Sequence, residues 1–172
     1  MKIVLLGYMA SGKSTVGRVL AEKMQIPFID LDEYIEEKEG KTVSEIFENN
    51  GEIYFRKQEH VYLKELLEKQ NKFILSLGGG TPCYAGNMDV LLSVNDVKSV
   101  YLKTNITTIV DRLTNEKSKR PLVARLNKDE LSEFVAKHLF ERSYFYNKAT
   151  YKLIVDNKSI HETVEELEKL LS

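Results

Sequence analysis

Gly7-Tyr8-Met9-Ala10-Ser11-Gly12-Lys13-Ser14 fits the pattern G-x-x-x-x-G-K-[ST] at every fixed position. Its surroundings decide the fold. Lys2-Ile3-Val4-Leu5-Leu6 is a short apolar run, β-branched in part, as a buried parallel strand requires. After the motif, Val16, Leu20 and Met24 recur every four residues, as on the buried face of a helix. A strand, a glycine loop and a helix start in that order aim a nest of backbone N–H groups at one point, and the helix dipole adds positive potential there. The motif therefore predicts nucleotide binding. Lys13 would reach the outer phosphates, and the Ser14 hydroxyl would ligate Mg²⁺.

The bulk properties narrow the classes. A chain of 172 residues suits one domain, expected here over residues 1–172. A hydrophobic content of 42% is enough for a core without disulfides or structural metals. The formal net charge is −1, from 25 basic and 26 acidic residues, which argues against a general nucleic-acid binder. Cys83 is the one cysteine, so no intrachain disulfide forms and a reducing cytosol is the natural compartment. The N-terminal apolar run is too short for a signal-peptide core, and no stretch approaches the ~20 apolar residues of a membrane span. A cytoplasmic protein is expected, with no membrane partner. No long exposed apolar stripe calls for a dimer, so a monomer is expected.

The rest of the chain alternates. Pro27-Phe28-Ile29 reads as a strand ending at Asp30, and Asp32 to Lys38 as a short helix closed by Gly40. Thr42-Val43-Ser44-Glu45 is a capping box opening a helix with Val43, Ile46 and Phe47 inward. Gly51 breaks that helix. A longer one runs to about Lys69, with Phe55, Val61, Tyr62 and Leu66 as apolar contacts. Strands are expected at Phe73–Leu77, Val97–Leu102 and Lys152–Val155, and helices at Met88–Leu92, Ile106–Leu113 and Leu131–Lys148. Ser159-Ile160-His161-Glu162 is a second capping box, for a terminal helix lined by Ile160, Val164, Leu167 and Leu171. Lys117 to Lys128 is charged and irregular and predicts a mobile loop. The pattern implies an α/β fold: a five-stranded parallel sheet with helices on both faces. Ligands in such sheets bind beyond the carboxyl ends of the strands. That rule puts Gly7–Ser14, Asp30–Asp32 and Gly78–Gly80 on one rim.

Several side chains there can carry chemistry. Asp30 and Asp32 end the second strand, where alternate residues share a face. Beside a phosphate site, one carboxylate can orient Mg²⁺ or its water shell, and the other can accept a hydroxyl proton. Arg56 and Glu59 lie three apart on a helix, so the glutamate can fix the arginine fork for a carboxylate. Gly78-Gly79-Gly80 costs backbone entropy that a simple turn rarely needs, and close approach of a ligand would explain it. Arg120, in the charged loop, can close over phosphates. Arg112 and Arg142 carry little signal by themselves. His60, His138 and His161 show no metal-ligand spacing and read as surface or helix-face residues. Nothing near Cys83 marks a nucleophile.

Taken together, these residues resemble the shikimate kinases, small P-loop kinases of aromatic amino-acid synthesis. The resemblance spans nearly the whole chain. It rests on Gly12-Lys13-Ser14-Thr15, Asp30 with Asp32, Gly51-Glu52 with Phe55-Arg56, Leu77-Gly78-Gly79-Gly80, Arg120-Pro121-Leu122, and Glu141-Arg142 with Tyr146 and Ala149. It implies a P-loop kinase fold with a substrate-binding segment at about 32–60 and a lid at about 117–128. It implies that ATP phosphorylates the 3-hydroxyl of shikimate. Ala10, Ser11, Gly12, Lys13, Ser14 and Thr15 would hold ATP, with Arg112 by the adenine and Arg120 closing over the phosphates. Asp32 would hold the substrate hydroxyls and act as base, with Lys13 and Arg120 as its catalytic companions. Arg56 and Arg142 would clamp the carboxylate, with Gly78, Gly79 and Gly80 along the ring. Asp30 would act on Mg²⁺ through water, beside Ser14. Three positions depart from the family pattern. Ala10 stands where glycine is frequent, Lys57 replaces a second arginine, and the segment after Asp156 lacks the usual proline. The alternatives are another small-metabolite kinase, such as a gluconate or nucleoside monophosphate kinase, and a nucleotide-driven switch or non-catalytic binding module. The latter requires Asp32, Arg56 and Arg142 to be dispersed or pointing outward.

Overall fold

The computed structural model describes residues 1–116 and 124–172. Five strands form one sheet: β1 (Lys2–Leu6), β2 (Phe28–Asp30), β3 (Phe73–Ser76), β4 (Val97–Lys103) and β5 (Tyr151–Ile154). Their spatial order is β2-β3-β1-β4-β5, and every pairing is parallel. The central strand β1 is buried along its whole length, which is why its sequence is apolar throughout rather than alternating.

Helices cover both faces: α1 (Lys13–Met24), α2 (Leu31–Glu39), α3 (Val43–Glu68), α4 (Asn87–Ser93), α5 (Ile106–Asn115), α6 (Lys128–Tyr146) and α7 (Ile160–Leu171). Ile3 and Leu5 of β1 pack with Val16 and Leu20 of α1 and Val164 and Leu167 of α7. Val4 and Leu6, on the other face, pack with Leu31, Leu63, Ile109 and Val135. One strand thus seeds two cores, as a period of two requires.

Both expected N-caps form. Thr42 Oγ1 accepts from the Glu45 N–H at 3.1 Å, and Ser159 Oγ accepts from the Glu162 N–H at 3.0 Å. Gly51, at φ 86° and ψ 169°, breaks α3 into two helical stretches, as expected of a glycine in a sequence that otherwise favours helix. Two inward assignments fail. Val61 is 46% exposed and Ile160 43% exposed. Each sits at the edge of its helical stripe, where the spacing rule does not separate core from rim. The third strand also ends one residue early, because Leu77 already belongs to the turn into the glycines. No described helix is long and apolar enough to cross a membrane.

Candidate active site

The carboxyl ends of β1, β2 and β3 open onto a cleft of about 530 Å³, walled by Lys13, Ser14, Asp30, Asp32, Gly78 and Arg112 among others. The loop after β1 forms its floor. The Lys13 ammonium is buried and donates to the carbonyls of Gly7 at 2.8 Å and Tyr8 at 3.0 Å. Ser14 Oγ donates to Asp30 Oδ2 at 2.9 Å and lies 3.3 Å from Ser76 Oγ. The Arg112 guanidinium reaches back from α5 to the Ala10 carbonyl at 2.7 Å, so it belongs to the loop despite its weak sequence signal.

The second strand ends at Asp30, as expected, but the two aspartates do not share a strand face. Asp30 is the last strand residue and caps α2, accepting from the Glu33 N–H at 3.2 Å. Asp32 is not on the strand. It lies in the first turn of α2, and the helix rather than strand alternation aims it at the cleft. Burial raises the Asp32 carboxyl to about 6, with the charges of Asp30 and Glu59 pushing the same way and Lys13 opposing. A carboxylate poised near neutrality suits a proton acceptor.

Arg56 is fixed from several sides. Its Nη1 donates to Glu59 Oε1 at 2.9 Å, and Thr81 donates to the other oxygen of that buried carboxylate at 2.7 Å. The Tyr84 ring stacks at 4.0 Å from the guanidinium carbon. Arg142, on α6, lies 5.8 Å from the Tyr8 ring centre. Tyr146, fully buried one turn later, donates its hydroxyl to the Gly79 carbonyl and ties α6 to the glycine turn.

The triple glycine has a reason the sequence did not disclose. A Cβ on Gly78 would meet the Asp32 carboxylate at 3.2 Å, one on Gly79 the Arg142 guanidinium at 3.1 Å, and one on Gly80 the Arg56 guanidinium at 2.7 Å. Each glycine makes room for one charged side chain. Asp32, Arg142 and Arg56 therefore gather around three consecutive residues, which removes the dispersed arrangement that a mere switch required. Gly78 and Gly79 line the cleft itself, whereas Arg56 opens onto a neighbouring groove with Glu52 and His60.

The family model for shikimate kinase matches residues 9–172. The chain belongs to the shikimate kinase family. A shikimate kinase of Flavobacterium psychrophilum is 54% identical over 170 residues, covering 99% of this chain and 98% of the relative. The crystal structure of the shikimate kinase from Bacteroides thetaiotaomicron superposes with a TM-score of 0.91 at 38% identity, covering 99% of this chain and 98% of that one. That from Acinetobacter baumannii, solved in complex with shikimate, gives 0.86 at 32% identity over 99% and 92% of the two chains. The five-stranded parallel sheet with its helices is thus the shikimate kinase fold.

Sequence reasoning missed Tyr8, Thr81, Tyr84 and His138. Their signals are ordinary, because each acts through a partner distant in sequence. His138, read as a surface or helix-face residue, is half-buried on α6 and lies 3.0 Å through Nδ1 from the Tyr8 hydroxyl. His60, read as a surface or helix-face residue, lies 2.6 Å through Nδ1 from Asn87 Oδ1. Arg120 and most of the expected lid, residues 117–123, lie outside the described residues.

Proposed function

We propose that this chain transfers the γ-phosphate of ATP to the 3-hydroxyl of shikimate, giving shikimate 3-phosphate and ADP. The observation that carries this reading is the grouping of Asp32, Arg142 and Arg56 around Gly78–Gly80, beside a phosphate-binding loop. A carboxylate with two arginine forks suits a substrate that bears both hydroxyls and a carboxylate. Family membership supports the same substrate.

Each residue then has a task. Backbone N–H groups from Ala10 to Thr15 cradle the phosphates, with the α1 dipole behind them. Lys13 neutralises charge on the β- and γ-phosphates as it develops. Arg56 and Arg142 hold the shikimate carboxylate, and Asp32 accepts the proton of the attacking hydroxyl. Arg112 flanks the nucleotide, and Arg120 is assigned to the phosphates by its motif. A Mg²⁺ ion fits beside Ser14 and Asp30. Their oxygens already lie within 2.9 Å of each other, and Mg²⁺ takes one or two protein oxygens together with phosphate and water. Bound there, the ion would neutralise charge on the β- and γ-phosphates.

An ADP-release assay comparing shikimate, gluconate and AMP as acceptors tests the reading. Turnover with shikimate alone supports it. Turnover with gluconate or AMP in preference overturns it.

A further inference from the structure

Glu59 and His60 are neighbours on α3, and the segment after the three glycines is tied to both. That segment begins with a single 3-10 turn, Thr81–Cys83. The Thr81 hydroxyl donates to Glu59 Oε2 at 2.7 Å, and the Thr81 carbonyl accepts from Asn87 Nδ2 at 2.9 Å. Asn87 Oδ1 lies 2.6 Å from His60 Nδ1. A carbonyl only accepts, so the Asn87 nitrogen faces Thr81 and its oxygen is left to the His60 ring. His60 therefore carries a hydrogen on Nδ1. Thr81, Asn87 and Glu59 are all buried, which closes this circuit to solvent. Arg56 lies at its end. Glu59 takes Nη1 of the guanidinium through Oε1 alone. Among the described residues Arg56 Nε is buried with no hydrogen-bond partner, and the nearest Glu52 oxygen is 3.9 Å away. Nη2 stands over Gly80.

We infer that Thr81 is a positioning residue for the acceptor's carboxylate: by occupying one oxygen of Glu59 it restricts that group to one nitrogen of Arg56 and leaves the rest of the fork to the substrate. The inference rests on the proposed carboxylate clamp at Arg56. Its physical basis is competition between two carboxylates for one guanidinium. A carboxylate with both oxygens free prefers to grip an arginine at two nitrogens. Glu59 is prevented from doing so because Oε2 already accepts from Thr81. Without that hydroxyl, Oε2 would be left unpaired at a residue only 1% exposed, where no solvent replaces the lost donor. Glu59 would then recruit a second Arg56 N–H, at the substrate's expense. Asn87 and His60 serve the same end, because they hold the Thr81 backbone to α3 and keep its hydroxyl on Glu59.

The test is steady-state kinetics with two acceptors, shikimate and its primary amide, which has the same ring and hydroxyls but no carboxylate. Thr81→Val replaces the hydroxyl by a methyl group of similar size. It should raise the KM for shikimate by ~10-fold and leave kcat within ~2-fold. The amide is expected to be a poor acceptor for the wild type, and Thr81→Val should lower its kcat/KM by no more than ~2-fold. A lesion that merely loosened the fold would weaken both acceptors alike. Thr81→Ser returns the donor and should restore the KM for shikimate. Thr81→Ala also deletes the hydroxyl and serves if Thr81→Val does not fold. An unchanged KM in the variant lacking the hydroxyl, an equal loss with both acceptors, or a Ser variant that behaves like Val overturns the inference. Wild-type protein that phosphorylates neither acceptor overturns the proposed function and this inference with it.

Discussion

A methyl group on Gly80 would stand 2.7 Å from Nη2 of Arg56, closer than non-bonded atoms pack. The backbone at Gly80, with φ −89°, suits alanine. The obstacle is therefore a side-chain tip, which can swing aside at small cost to stability. Swinging aside takes the guanidinium off Glu59 and the Tyr84 ring. Gly80→Ala should raise the KM for shikimate by ~10-fold or more, about 1.4 kcal/mol of lost binding, while the melting temperature stays within a few degrees. An unchanged KM would show that the position of Arg56 does not matter to the substrate.

Lys13 is expected to matter most in the transition state, when charge on the transferring phosphoryl group is greatest. Lys13→Ala should lose at least ~10²-fold in kcat, about 2.7 kcal/mol of barrier. Single-turnover kinetics at saturating substrates would measure it, and near wild-type turnover would remove this loop from the chemistry.

Ala10 occupies the left-handed region, at φ 62°. An L residue there carries a steric cost that glycine avoids. Ala10→Gly should therefore raise unfolding stability by ~0.5–1 kcal/mol, read in a urea titration with unchanged slope. A loss of stability would mean that the Ala10 methyl packs usefully and outweighs the strain.

The strand–loop–helix start was legible because its glycines, lysine and flanking apolar runs are adjacent in sequence. The five strands and both N-caps were legible for the same reason. The site was legible only in part. The short helix from Asp32 was legible, but Asp30 and Asp32, two apart, also read as one strand face, whereas Asp30 caps α2 and Asp32 lies in its first turn. Gly78–Gly80 looked like a ligand contact. The structure adds that each glycine accommodates a particular charged side chain, each from a different helix. Arg112, Arg142 and His138 were illegible as separate residues, since a helical arginine or histidine has no local pattern that marks its partner. Tertiary packing alone brings Tyr8 to His138 and Arg112 to Ala10.

Asp32 links pH to stability and, as the proposed base, should link it to activity. Its carboxyl is raised from 3.8 to about 6 in the folded state, burial being the main cause. The folded protein thus favours the protonated form. Below about pH 4 both folded and unfolded chains hold the proton, and the preference is fully present. It is lost as pH rises toward 6, and above that the ionised group costs stability, by about 1–3 kcal/mol after allowance for its partial solvent access. Asp32→Asn should stabilise the free protein at pH 8 more than at pH 5, as read by denaturant melts. The same substitution should lower kcat, because the amide accepts no proton. In the wild type, kcat/KM for shikimate should fall about tenfold per unit below pH 6. A profile flat from pH 5 to 8, or normal turnover by Asp32→Asn, would exclude Asp32 as an essential base.

On the proposed roles, Arg142 serves binding and Asp32 chemistry, and the two reach the glycine turn from different elements. Asp32 arrives on the first turn of α2, and Arg142 from the C-terminal half of α6. The arginine contacts Gly79 and the aspartate Gly78, so a ring lying across the two glycines would present its carboxylate to one and its hydroxyls to the other. Removing the fork leaves the phosphate loop intact, since Lys13, Ser14 and Arg112 hold their own partners there. Arg142→Ala should therefore raise the KM for shikimate by ~10²-fold and leave the affinity for ATP in the absence of shikimate nearly unchanged. Arg142→Lys keeps the charge but not the planar fork and should recover only part of the loss. Steady-state kinetics with each substrate varied in turn, together with direct titration of an ATP analogue, distinguish the outcomes. If Arg142→Ala weakened the nucleotide and spared shikimate, the arginine would belong to the phosphate site, and the carboxylate would have to be held by Arg56 alone.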